Sequence, residues 1–245
     1  MIDVSNKQID AILLDCDGTL SSIEGIDELA LMAGAEKARA VQMLTAEAMG
    51  KTGLNPEVYE KRLALVAPNK NQVEQLGEKY FTHITPDADV VISLLQKLGK
   101  SIYILSAGLF PSVSIFAKHL QIPAENVFAV KIQFDEKGNY KDFDHTSPLI
   151  HNHGKREIVQ QLKNHHSEFL YVGDGMNDLA VRDLVTGFIG YGGNFFRQNI
   201  ADQSDFYIKA QSLLPLLPLS LTENEYKNLS DEDKRLYEEG KHMLG

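Results

Sequence analysis

At 245 residues, 43% hydrophobic and 24% charged, the chain has the composition of one or two globular domains with a sizeable core, not of a disordered, collagenous or coiled-coil protein. Its 24 basic and 34 acidic residues leave a net charge of −10, which repels a nucleic-acid backbone, and no apolar run approaches the roughly 20 residues needed to cross a bilayer. The polar residues 1–10 lack the apolar centre of a secretory signal and the single Cys16 cannot form an internal disulfide, so the expectation is a cytoplasmic protein with neither a nucleic-acid nor a membrane partner.

The first predicted element is a strand over 9–15, an apolar run ending in a carboxylate, as suits a strand buried on both faces of a parallel sheet. From Glu24 to about Tyr80 the apolar spacing turns helical, punctuated by Gly34, Gly53, Pro56 and Pro68. A helix over 87–98 follows, with Pro86 before it and Gly99 after it, then a strand over 101–105 and a helix over 111–120. Segments 127–134 and 140–143 flank Asp135-Glu136-Lys137-Gly138-Asn139 and read as a β-hairpin. A helix over 155–162, a strand over 169–172, a helix over 178–184 and strands over 188–191 and 205–208 complete the alternation.

That order predicts an α/β protein with a doubly wound, mostly parallel, Rossmann-like sheet. The expected organisation is a core of 1–21 and 85–218, a helical cap inserted over 22–84, and a charged helical tail over 219–245, in which the run from Glu223 to Glu239 reads most simply as a solvated amphipathic helix and a homodimer contact is the alternative.

Chemistry gathers at the ends of the predicted strands. Asp15 and Asp17 sit two apart in Asp15-Cys16-Asp17-Gly18-Thr19-Leu20, directly after the first strand, where open parallel sheets bind ligands. Alone, two aspartates are as readily a turn or a helix cap. Gly173-Asp174-Gly175-Met176-Asn177-Asp178 repeats the arrangement after another strand. Carboxylates crowded at two strand ends are costly unless a cation neutralises them, and an all-oxygen ligand set favours Mg²⁺. Ser106 and Gly108 follow a third strand, where a hydroxyl and free N–H groups can hold anionic oxygens, and Lys155 opens a helix. Each is weak by itself. Together they are what phosphoryl transfer through an aspartyl-phosphate needs.

These four segments, in their order along the chain, resemble the motifs of the haloacid dehalogenase-like hydrolases. Glu24-Gly25-Ile26-Asp27-Glu28-Leu29-Ala30, Ala48-Met49-Gly50, Arg62-Leu63-Ala64-Leu65-Val66, Asn126-Val127-Phe128-Ala129 and Gly190-Tyr191-Gly192-Gly193-Asn194 narrow the likeness to the phosphoserine phosphatases within that family. The resemblance implies a Mg²⁺-dependent phosphatase that hydrolyses O-phospho-L-serine. Asp15 would be the nucleophile, and Asp17 the acid and then the base. The cation would bind the Asp15 carboxylate, the Asp17 carbonyl and Asp174, with Asp178 supporting it. Ser106, Gly108 and Lys155 would hold phosphate oxygens. Glu24 would take the substrate ammonium, Arg62 its carboxylate, and Met49 would pack on it, while Asn177 would either contact substrate or cap the following helix. Another small phosphorylated metabolite as substrate of a phosphatase or phosphotransferase, or a catalytically silent metabolite-binding module, are the alternatives; Asn55 motivates the first, standing where these phosphatases often carry an aromatic.

Overall fold

The computed structural model describes residues 7–51 and 55–244, and the side chains of these except 48–51. Strand β1 (Ala11–Leu14) is the apolar run Ala-Ile-Leu-Leu, and all four residues are buried. It is followed by α1 (Gly25–Met32), α2 (Ala35–Lys51), α3 (Pro56–Val66), α4 (Lys70–Thr82) and α5 (Ala88–Lys97). Then come β2 (Ser101–Leu109), α6 (Phe110–His119), β3 (Val127–Val130), β4 (Ile132–Phe134), β5 (Tyr140–Phe143), α7 (Gly154–Leu162) and β6 (Phe169–Gly173). The remainder comprises α8 (Met176–Leu179), β7 (Gly187–Tyr191), α9 (Gln198–Ala201), β8 (Phe206–Ile208), α10 (Leu216–Ser220), α11 (Glu223–Lys227) and α12 (Asp231–His242).

Six strands form one sheet in the order β3-β2-β1-β6-β7-β8, and every pairing in it is parallel. Parallel strands need crossovers, and helices supply them on both faces, which is why β1, β6 and β7 are buried along their whole length. The chain winds outward from β1 to β2 and β3, then returns to lay β6, β7 and β8 on the opposite side. The order therefore reverses beside β1, and a crevice opens there beyond the carboxyl ends of β1, β2 and β6.

The sheet corrects several expected boundaries. Segment 127–134 is two strands: β3 pairs with β2, and after Lys131 the chain leaves the sheet so that β4 pairs with β5 as an antiparallel hairpin. The helix expected over 178–184 is instead the short α8 and a separate 3₁₀ turn, Arg182–Leu184. Strand β2 runs to Leu109, four residues beyond its expected end, with an irregularity against β3 between Leu105 and Leu109.

The helices α1 to α4 lie between β1 and α5 in the chain. Helix α3 starts at Asn55, whose side chain accepts the amide of Val58, with Pro56 at the first helical position. Such a cap contributes about 1 kcal/mol, and it accounts physically for an asparagine at 55. Helix α4 starts in a reciprocal pair, Asn69 with Gln72, and buries Val73, Leu76, Gly77 and Tyr80 along one stripe. The tail packs back on its own chain. Buried Lys100 donates to the Ile9 carbonyl at 2.8 Å and to Glu225 in α11 at 2.6 Å, and Lys97 pairs with Asp233 in α12 at 3.0 Å.

Candidate active site

The four expected segments converge in the crevice beyond β1, β2 and β6. Asp15 is 6% exposed, Asp174 3%, and Ser106 and Asp178 are fully buried. Lys155, in the first turn of α7, is 2% exposed and reaches across to donate to Asp15 at 2.6 Å and to Asp178 at 2.5 Å. Burial opposes its charge, but the two carboxylates outweigh burial and hold the ammonium above its ordinary range. Its ionised state is therefore fixed by its partners.

Asp15, Asp174 and Asp178 each present an oxygen within 4.8 Å of the others. The Lys155 ammonium and the Arg197 guanidinium together leave three carboxylates short by one charge. Burial raises Asp15 well above the carboxylate range, and Asp178 and Asp174 add to the rise against the pull of Lys155. Asp174 is pushed up to about 8, by burial first and by Asp178 and Glu24 as well, although Arg197 and Lys155 pull it down. Such a cluster is short of positive charge. Both oxygens of Asp178 are engaged: Oδ1 by Lys155 and by the Tyr171 hydroxyl at 2.7 Å, Oδ2 by the amide of Gly175 at 2.9 Å. Asp174 Oδ2, by contrast, is buried without a hydrogen-bond donor; Arg197 Nη1 lies 2.8 Å away but is not aligned on it. A hard divalent cation would fit between Asp15 and Asp174, with Asp178 bracing Lys155 beside it.

Asp17 lies on the other side of the crevice, tied to the helical segment. Its Oδ1 accepts the Gly25 amide at the start of α1 and the hydroxyl of Tyr80 in α4, both at 2.6 Å. Its Oδ2 accepts the Ser106 hydroxyl at 3.1 Å, and Ser106 in turn accepts the Gly108 amide at 2.9 Å. Burial and the neighbouring Asp17 charge keep the Tyr80 phenol well above its ordinary value, so it remains a donor. Gly18 makes the approach of the two strand ends possible. Its φ is +72°, and a Cβ there would sit 2.6 Å from Asp174 Oδ2. Cys16, between the two aspartates, is fully buried, and burial with Asp17 and Asp15 nearby pushes its thiol up, which makes it inert packing.

Of the remaining expected residues, Glu24 sits just before α1, 4.0 Å from Arg197, its side chain 40% exposed. Partial burial with the charges of Asp17 and Asp15 pushes it up. Arg62, on α3, is 6% exposed and pairs with Asp27 of α1 at 3.2 Å, while its Nε is buried with no partner. Asn177 accepts the amide of Asp178 at the start of α8. Met49 lies in α2, and its side chain falls outside the described residues.

Of four further site residues, all but Asn194 carry no signal in the sequence. Arg197 donates to the Asp174 carbonyl at 3.0 Å and bridges towards Glu24. Asn194 donates to the Gly18 carbonyl at 3.1 Å and to Thr85 at 3.0 Å. Tyr171 and Tyr80 sit at core spacings on a strand and a helix, and nothing in those spacings says that their hydroxyls end on carboxylates. For Asn194, the only hint is its place at the end of Gly190-Tyr191-Gly192-Gly193-Asn194.

A parallel sheet whose switch point gathers a lysine, a serine and paired aspartates is the arrangement of a Rossmann-like hydrolase class that works on phosphorylated substrates. Residues 9–181 match the model of the haloacid dehalogenase-like hydrolases, and the chain belongs to that family. It is similar to phosphoserine phosphatases of Bos taurus and Homo sapiens, each 36% identical over 201 residues, which are 81% of this chain and 88% of theirs. Its fold matches a solved phosphoserine phosphatase carrying a phospho-aspartyl intermediate analogue, with a TM-score of 0.74 at 24% identity, over 87% of this chain and 99% of that one.

Proposed function

We propose that this protein hydrolyses O-phospho-L-serine to serine and phosphate through an aspartyl-phosphate on Asp15. The observation that carries the reading is Lys155 held between Asp15 and Asp178, at 2.6 and 2.5 Å, in a buried site with an unsatisfied Asp174 oxygen. The kinship with phosphoserine phosphatases supplies the substrate.

In the first step Asp15 attacks phosphorus, the bond from phosphorus to the seryl oxygen breaks, and Asp17 gives its proton to that oxygen. In the second, water attacks the phosphorus of the acyl phosphate, the bond from phosphorus to the Asp15 oxygen breaks, and Asp17 takes a proton from that water, which frees phosphate and restores both carboxyl groups. Lys155 and Ser106 hold the equatorial oxygens, with the Gly108 amide, through which spread charge is stabilised as it develops. Asp15, the Asp17 carbonyl and Asp174 would hold Mg²⁺, which when bound supplies the charge that lets a carboxylate approach an anionic phosphate. Arg62, buried with a free Nε and oriented by Asp27, suits a substrate carboxylate through a bidentate pair, and Glu24 suits the ammonium. Met49 would pack on the substrate, and residues 22–84 would act as a cap that excludes bulk water. No helix among the described residues is long and apolar enough to cross a membrane. On the kinship with phosphoserine phosphatases we place the protein in the cytoplasm.

The test is phosphate release from phosphoserine with and without Mg²⁺, beside Asp15→Asn and a panel of phosphorylated amino acids and sugar phosphates. Mg²⁺-dependent release selective for phosphoserine and absent from Asp15→Asn is expected. Full activity of Asp15→Asn, or equal rates on sugar phosphates, would contradict the reading.

A further inference from the structure

We propose that Tyr80 is a positioning residue for the acid step, fixing the Asp17 carboxyl so that its proton is carried on the oxygen facing the leaving group. This rests on the phosphoserine hydrolysis inferred above and adds to it a residue outside the four strand-end segments. Tyr80 belongs to α4, is 0% exposed, and is stacked on Phe116 of α6 with ring centroids 5.7 Å apart. A tyrosine so packed has a rigid ring, and its hydroxyl has one place to go. It donates to Asp17 Oδ1 at 2.6 Å, beside the Gly25 amide donating to the same atom.

Two donors on Oδ1 make that oxygen the acceptor end of the carboxyl group. Oδ2 accepts a single, longer bond, from the Ser106 hydroxyl at 3.1 Å, and is the end that can carry a proton once that hydroxyl turns to a phosphate oxygen; it faces the space beside Gly108, where the phosphate would bind. When the bond from phosphorus to the seryl oxygen breaks, the proton leaves Asp17 Oδ2 for that oxygen and Asp17 becomes a carboxylate. The bonds to Oδ1 strengthen as this charge appears, so Tyr80 favours the transition state over the ground state. Gly25 is part of the arrangement: a Cβ there would overlap the Tyr80 hydroxyl, so the residue must be glycine for the hydroxyl to reach Asp17.

A structural role for Tyr80 would affect all substrates alike, whereas a positioning role matters only where the leaving group needs a proton. The experiment compares kcat/KM for phosphoserine, whose alkoxide must be protonated, with kcat/KM for 4-nitrophenyl phosphate, whose aryl oxide leaves unaided. Since kcat/KM reports steps up to the first irreversible one, the later use of Asp17 as a base does not enter. Tyr80→Phe keeps the stacked ring and should lower kcat/KM for phosphoserine on the order of 10-fold or more, with less than about 3-fold change for the aryl ester. Equal losses on both substrates, or none on phosphoserine, would overturn the proposal. If Tyr80→Phe does not fold, Gly25→Ala, which displaces the hydroxyl, is judged by the same ratio and the same criteria. Wild-type protein is run alongside. A wild type inactive on phosphoserine would overturn the functional reading and this proposal with it, whereas an active wild type with an unaltered ratio in the variants would overturn the role of Tyr80 alone.

Discussion

Replacing Lys155 by Met is the sharpest perturbation of the charge balance at the strand ends. The side chain is 2% exposed and is the sole ammonium bonded to both Asp15 and Asp178 among the described residues. Methionine fills a similar volume, so the loss is electrostatic more than steric. Removing one partner of a buried ion pair costs about 3–5 kcal/mol, since the remaining charges stay buried and uncompensated. For a chain of this length each kcal/mol moves Tm by roughly 2–4 °C, so the metal-free variant should melt about 6–20 °C below wild type.

Two signatures separate this from general damage to the core. Burial and mutual repulsion already hold Asp15 and Asp174 above the ordinary carboxylate range, so at pH 5 both can take up protons and the deficit should shrink. Mg²⁺ should also stabilise the variant more than wild type, since a divalent cation then replaces the missing charge. The assay is thermal melting at pH 5 and pH 7.5, with EDTA and with Mg²⁺, next to phosphoserine turnover, which should vanish. A deficit under about 2 °C in EDTA at pH 7.5 would refute the reasoning, since it would correspond to less than about 1 kcal/mol.

In metal-free wild type, Asp174 has its folded pKa raised to about 8 and Asp15 is raised as well, so between about pH 4 and 8 the folded state holds more protons than the unfolded one. Stability should then fall as pH rises through that window, by at most about 1.4 kcal/mol per pH unit for each carboxyl, and Mg²⁺ should flatten the slope in a melting series. Gly18→Ala forces a left-handed backbone on alanine and drives a methyl against Asp174; Mg²⁺ affinity measured by calorimetry should drop on the order of 10-fold or more. Arg62→Leu should raise KM for phosphoserine by about 10-fold or more and leave KM for phosphoethanolamine, which has no carboxylate, nearly unchanged.

Much of the sheet and its strand-end chemistry can be read from residue order. The run Ala11-Ile12-Leu13-Leu14 announces a strand buried on both faces, and each of Asp15, Ser106 and Asp174 follows such a run, so parallel pairing alone brings them to one edge. What escapes is whatever depends on partner choice. Residues 127–134 are uniformly strand-like, and nothing local says that β3 joins β2 while β4 turns away to β5. Residues 178–184 have helical composition, yet Asp178 spends its carboxylate on Lys155, Tyr171 and the Gly175 amide, and the chain turns off after α8. Arg197 and Asn194 reach the site only because β7 and the loop after it lie beside β6, which is tertiary information. Asn55 caps the helix that carries Arg62, a role set by Pro56 and Val58 opening that helix.

In the proposed reaction phosphate passes covalently through the carboxylate of Asp15. Protein quenched in acid a few milliseconds after mixing with radiolabelled phosphoserine and Mg²⁺ should carry up to one equivalent of phosphate. That phosphate should be released by hydroxylamine, map to the peptide containing Asp15, and be absent from Asp15→Asn. Turnover of phosphoserine with no protein-bound phosphate at any quench time, or label that persists in Asp15→Asn, would contradict it.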